Sequence, residues 1–148
     1  VDSYNAILQE LIENLDKTTS DFGVELQGRC RALYEAYVNR DGEMAFAIID
    51  KTIKDSAAPI YALQDKFDIC EKLHELEEME KVIKELCDLN VGDSYGKERA
   101  LYREKLLYAA YRKDDTELNK LKNEINNKNI RINMDILQRK IERIMSAN

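Results

Sequence analysis

The sequence predicts an all-α fold of about eight antiparallel helices, and three observations predict it. Apolar residues recur at three- and four-residue spacing through most of the chain, which places them along one face of a helix. Pro occurs once, at Pro59, and Gly five times in 148 residues, too little turn chemistry for an all-β chain. Charged residues make up 35% and hydrophobic residues 44%, the mixture of a helix with one apolar stripe and a solvated face. A chain of this length buries about 70% of its extended surface. A single domain over residues 1–148 therefore needs no metal or disulfide to hold it.

The first helix is capped by Ser3 and carries Ile7, Leu8, Leu11, Ile12 and Leu15 as one stripe. Thr18, Thr19, Ser20 and Asp21 end it with side chains that compete for backbone hydrogen bonds. The second helix runs from about Phe22 to Asn39 with Leu26, Cys30, Leu33, Tyr34 and Tyr37 on its apolar side. Gly28 within it offers a neighbouring helix a close approach. Asn39 to Gly42 form a tight turn in which Asp41 caps a third helix, whose apolar positions are Ala45, Ile48, Ile49 and Ile53. After Asp55, Pro59 suits the first turn of a fourth helix, where its missing N–H costs nothing.

That fourth helix carries Leu63, Phe67, Cys70 and Leu73 and turns near Glu75. A fifth carries Met79, Val82, Ile83, Leu86 and Cys87. Asn90 to Gly96 make the clearest loop. A sixth helix spans about Lys97 to Arg112. Asp114 to Glu117 read as a capping box for a seventh with Leu118, Leu121 and Ile125, which the Asn-rich stretch Asn126 to Asn129 ends. The last helix, about Ile130 to Met145, carries Leu137, Ile141, Ile144 and Met145. Short connections make sequential helices antiparallel neighbours.

The net charge of −6 is uneven. From Val1 to Tyr95 there are 10 Lys and Arg against 21 Asp and Glu; from Gly96 onward there are 13 against 8. The three cysteines, Cys30, Cys70 and Cys87, are an odd, widely spaced set and no disulfide framework. Their apolar surroundings predict buried thiols in a reducing, cytoplasmic setting. Apolar stretches fall far short of the ~20 residues of a membrane span, so no membrane partner is expected. The start at Val1 fits a processed product or a segment of a larger protein.

The helical hairpins echo one another. Ala45 and Met79, Ile49 and Ile83, Leu33 and Phe67, and Ala36 and Cys70 all stand 34 residues apart. Leu106, Ala109 and Leu118 continue the pattern at a 39-residue step, with the surplus residues in the Gly92–Gly96 loop. Tyr34-Glu35-Ala36-Tyr37 also finds an echo in Tyr108-Ala109-Ala110-Tyr111. A helix–turn–helix period of 34 residues resembles a divergent tetratricopeptide repeat, over roughly Leu26 to Ile125. The family's Trp is absent, and Leu33, Phe67 and Leu106 stand where it prefers Gly. An irregular α-solenoid or a compact helical bundle fits the same helix order. The resemblance implies an N-terminal flanking helix over residues 1–21, three hairpins over 22–128 and a C-terminal capping helix over 129–148.

Catalytic motifs are weak. His74, the one histidine, has ExxH spacing to Glu71, but a carboxylate-bridged metal site needs two such motifs. Cys70 lies one helical turn from His74, yet at a core position, where a thiol is inert. No metal, cofactor or enzymatic activity is expected. Basic residues from Lys97 to Arg143 alternate with Tyr95, Tyr102, Tyr108 and Tyr111, a pattern that can hold a single strand. The acidic residues among them argue against a dedicated nucleic-acid binder.

The expectation is a protein- or peptide-binding module. The alternatives are a regulatory or scaffold helical domain, a homodimer formed through the last helix, and a weak nucleic-acid binder using the basic C-terminal part. The resemblance implies that the partner lies on a concave face carrying Tyr34, Tyr37, Tyr61, Gln64, Asp68, Arg103 and Tyr111. Tyrosines suit such a face because a rigid apolar ring carries a hydrogen-bonding tip.

Overall fold

The computed structural model describes residues 2–15, 21–92 and 96–147. Among these the fold is all-α, with packed neighbouring helices and no strand. The helices are α1 (Asp2–Leu15), α2 (Asp21–Tyr34), α3 (Gly42–Asp55), α4 (Ile60–Leu73), α5 (Leu76–Asp88), α6 (Lys97–Tyr111), α7 (Asp115–Lys128) and α8 (Met134–Ser146). The expected break at Thr18 to Ser20 and part of the Asn90–Gly96 loop, Tyr95 included, lie outside the described residues.

The helix ends follow local chemistry. Asp41 caps α3, its side chain accepting from the Met44 N–H at 3.0 Å. Asp114 caps α7 in the same way through the Glu117 N–H, also at 3.0 Å. Such a bond satisfies one of the N–H groups that a helix start leaves without an intrahelical partner. Asn129 ends α7 in the left-handed conformation, at φ 54°, which Asn tolerates better than most residues.

Four details differ from the sequence expectation. Ser3 lies within the first turn of α1 rather than ahead of it. Pro59 sits just before α4, where its carbonyl accepts the first helical bond from Leu63 at 2.9 Å. The last helix starts at Met134, because Asn133 supplies the cap to the Ile136 N–H. The second expected helix changes character after Tyr34: Glu35–Asn39 form a π-helical turn, closed by left-handed Arg40 at φ 55°.

The chain divides into two compact units, 1–75 and 76–148. The division falls between α4 and α5, the pair expected to form the second hairpin.

In the first unit, α2 packs against α1, α3 and α4. Its core joins Ala32, Ala36, Ala45, Ile49, Ala62 and Ile69, all fully buried. Four alanines in that set let the backbones draw close. Gly28 serves the same purpose: a Cβ built there would lie 2.3 Å from Thr52 Oγ1. The expected close approach at Gly28 is therefore made by α3. A smaller cluster of Leu8, Ile12 and Cys30 fixes α1 to α2.

In the second unit, α6 packs against α5, α7 and α8. Each outer helix offers one stripe: Met79, Val82 and Leu86 from α5, Leu118, Leu121 and Ile125 from α7, Leu137 and Ile141 from α8. A helix with neighbours on several sides must be buried around much of its circumference. Accordingly α6 buries Ala100, Leu101, Tyr102, Leu106, Leu107, Ala109 and Ala110, and the carboxylate residue Glu104 with them.

Two lysines close helix ends in this unit. Lys97 Nζ donates to the Cys87 and Leu89 carbonyls at the end of α5. Lys113 Nζ donates to the Ile144, Met145 and Ala147 carbonyls at the end of α8. Cations at helix C-termini bond otherwise unpaired carbonyls and oppose the helix dipole. The Cys87 thiol is exposed, which corrects the expectation of three buried thiols; Cys30 and Cys70 are buried. Cys87 falls one residue past Leu86, at the edge of the α5 stripe rather than on it.

Candidate partner-binding surface

The first unit assembles an aromatic and acidic surface from four elements. On α4, Tyr61, Asp65, Asp68 and Lys72 follow at four-, three- and four-residue steps, so they share one helix face. Tyr4 comes from α1, Arg29 from α2 and Tyr37 from the π-helical turn.

Electrostatics tie these groups together. Arg29 Nε pairs with Asp65 Oδ2, and the same guanidinium lies 5.5 Å from the centre of the Tyr61 ring. The Tyr4 and Tyr37 rings are 5.7 Å apart and tilted by 49°. Lys72 Nζ stands 5.3 Å from the centre of the Tyr37 ring. Both cations lie within cation–π range.

The surrounding carboxylates leave their mark on the phenols. Burial, with the negative charge of Asp68 next, pushes the Tyr37 hydroxyl up to about 12. Tyr4 is raised as well, by burial first and then by Asp65 and Asp68. Asp65 is itself raised: burial outweighs the bond and the charge of Arg29. Desolvation thus dominates even for a paired carboxylate, because a single guanidinium does not replace its lost water.

The residues singled out from the sequence fall in different environments. Tyr61 is 50% exposed. Gln64 and Asp68 are half-buried on the α4 face. Tyr37 is half-buried and packs against the unit's core. Tyr34, the last residue of α2, packs instead against the Leu8, Ile12 and Cys30 cluster. Arg103 and Tyr111 are half-buried on α6, in the second unit. The structure therefore brings Tyr37, Tyr61, Gln64 and Asp68 onto one region and sends Tyr34 into a packing role.

Sequence reasoning missed Tyr4, Arg29 and Asp65. Asp65 carried a usable signal, standing one turn after Tyr61 on a helix whose face was already marked. Arg29 carried none, since its partner is 36 residues away.

His74 caps the end of α4 in the left-handed conformation, its N–H donating to the Cys70 and Glu71 carbonyls. Its side chain is exposed while Cys70 is fully buried. Among the described residues, no group of three His, Cys, Asp or Glu side chains is placed to hold a metal ion. Nor is any described helix long and apolar enough to cross a membrane.

The fold and surface define an all-α protein with an exposed aromatic and acidic region on its first unit. Comparison of the chain with protein-family models, with curated proteins and with solved structures returns no match.

Proposed function

We propose that the chain is a protein- or peptide-binding module rather than an enzyme, and that its first unit carries the principal contact region. The observation that carries this reading is the half-exposed Tyr61 ring, continuous through Arg29 and Asp65 with Tyr4 and Tyr37. Tyr and Arg are the residue types that anchor interfaces, because they bring large contact area together with directed polar groups. The π-helical turn that carries Tyr37 adds support, since such turns are frequent at functional sites. Tyr37, Tyr61, Gln64 and Asp68 are the proposed contacts here. Arg103 and Tyr111 are the proposed contacts on the second unit.

The reading includes a divergent tetratricopeptide-like organisation. Burial of Ala36, Cys70, Ala45 and Met79, all at the 34-residue offset, supports it. It also includes a cytoplasmic setting, supported by three cysteines that form no disulfide.

Affinity capture tests it. The immobilised chain is expected to retain a defined polypeptide at micromolar concentration, and Tyr61→Ala with Asp68→Asn is expected to release it. Failure to retain any polypeptide, or an identical set on wild type and variant, sinks the proposal.

A second reading, self-association through α8, is favoured by Ile136, which is 65% exposed beside Arg139 and Arg143. Light scattering of wild type and Ile136→Glu decides it: a dimer that the variant dissolves supports the reading, and a monomer at high concentration ends it.

A further inference from the structure

The α1 helix carries more apolar surface than it buries. Leu8 and Ile12 seat it on α2. Tyr4, Ile7 and Leu11 stand 43%, 55% and 39% exposed. These three follow at i, i+3 and i+7, so they form a second, outward stripe over two turns, about 10 Å long. That is the anchor spacing of helix-in-groove recognition.

One end of the stripe has its own chemistry. The Tyr4 ring lies tilted beside that of Tyr37, and Asp65 and Asp68 act on both rings. The stripe thus runs from two aliphatic side chains to an aromatic and acidic corner.

Charge points to one kind of occupant. From Asp2 to Leu15, α1 contains no Lys or Arg, and Glu10 borders Ile7 on the helix surface. Residues 1–75 carry 15 Asp and Glu against 8 Lys and Arg. A surface of that sign attracts a cationic partner and repels nucleic acid or anionic headgroups. A second copy of α1 is also disfavoured, because a two-fold contact would bring together two faces that both carry Glu10 and Glu13 and supply no Lys or Arg to pair with them.

We propose that Tyr4, Ile7 and Leu11, with the Tyr37 and Asp68 corner, dock a basic amphipathic helix of a partner protein. Apolar residues of that helix cover Ile7 and Leu11, and one of its Lys or Arg side chains pairs with Glu10. The inference rests on the reading of the chain as a protein-binding module, and it names that partner's chemistry.

The test uses the full chain and two labelled synthetic helices. Both carry Leu at i, i+3 and i+7; one has Lys and Arg on the flanks, the other Glu. Fluorescence anisotropy is expected to show the basic peptide binding at least about ten-fold more tightly. Ile7→Ser with Leu11→Ser is expected to weaken it by at least about ten-fold, with a cooperative melting transition retained. Glu10→Lys, at an exposed position of α1, is expected to weaken it as well.

Equal binding of both peptides, or no binding of either, overturns the inference. So does basic-peptide binding that survives the α1 substitutions; if Tyr61→Ala with Asp68→Asn then abolishes it, the binding-module reading stands without α1. Dissociation of a dimer by Ile7→Ser with Leu11→Ser would also overturn it, in favour of a second copy as occupant.

Discussion

Gly28 and Thr52 meet where α2 crosses α3, and there is no room between them for a methyl group. A Cβ on Gly28 would lie 2.3 Å from Thr52 Oγ1 and 3.3 Å from Thr52 Cβ. The hydroxyl is held in place by its bond to the Ile48 carbonyl at 2.9 Å. Gly28→Ala is therefore expected to destabilise the protein by about 1–3 kcal/mol through overpacking. Thr52→Ala in the same chain is expected to recover much of the loss, since it removes the nearest atom and Ala favours the helix over Gly by up to ~1 kcal/mol. A double-mutant cycle by denaturant unfolding reads the coupling; strictly additive effects would refute the contact.

Tyr37 gives the protein an alkaline limit. Its folded pKa stands at about 12 against an ordinary 10.0. The native state therefore holds the phenolic proton more tightly than the unfolded state does. The stabilisation is complete below about pH 10 and is lost as pH rises towards about 12. Tyr37→Phe keeps the packed ring and removes the proton, so its stability is expected to fall less over that window. Unfolding midpoints of the two proteins at several alkaline pH values check this, and parallel pH curves would contradict it.

Tyr102 joins α6 to α7. Its hydroxyl donates to Glu124 Oε2 and accepts from Lys128 Nζ, both at 2.9 Å. The residue is 3% exposed, so water cannot replace those bonds freely. Tyr102→Phe is expected to cost about 1 kcal/mol, measurable by thermal or chemical unfolding. An unchanged midpoint would mean that the two bonds are worth no more than their solvated counterparts.

Lys113 holds the end of α8 by three carbonyls. Lys113→Met keeps most of the side-chain volume and removes the donors. The amides that close the last turn of α8 are expected to exchange faster with solvent, while those around Leu137 keep their protection. Uniform loss of protection along α8, or none, would argue against a local clamp.

The extent of what the sequence foretells follows from how local each interaction is. Asp41 and Asp114 were legible because a cap acts on N–H groups two or three residues away. Ile49, Met79 and Leu121 were legible because helix periodicity alone selects the buried face. The π-helical turn was not, since Glu35–Asn39 carry the same apolar spacing as an ordinary helix end. Periodicity assigns Cys87 to the stripe because it marks a stripe but not its width. At the candidate surface, Tyr37, Tyr61 and Asp68 could be named in advance. The Arg29 and Asp65 pair could not, because it depends on the register between α2 and α4. The sequence marks Tyr34 along with Tyr37 and Tyr61, and its ring packs against the Leu8, Ile12 and Cys30 cluster, a contact that residue type alone does not foretell.

The arrangement of the second unit sets an order in which its parts can come loose. The stripes of α5, α7 and α8 all pack on α6. Any one of the three can lift away while the other two still shield part of that helix. Releasing α6 itself requires all three to separate. Amides in the middle of α6 are therefore expected to be the slowest to exchange in residues 76–148, reporting the opening of the whole unit, while those of α5, α7 and α8 report smaller events with lower free energies.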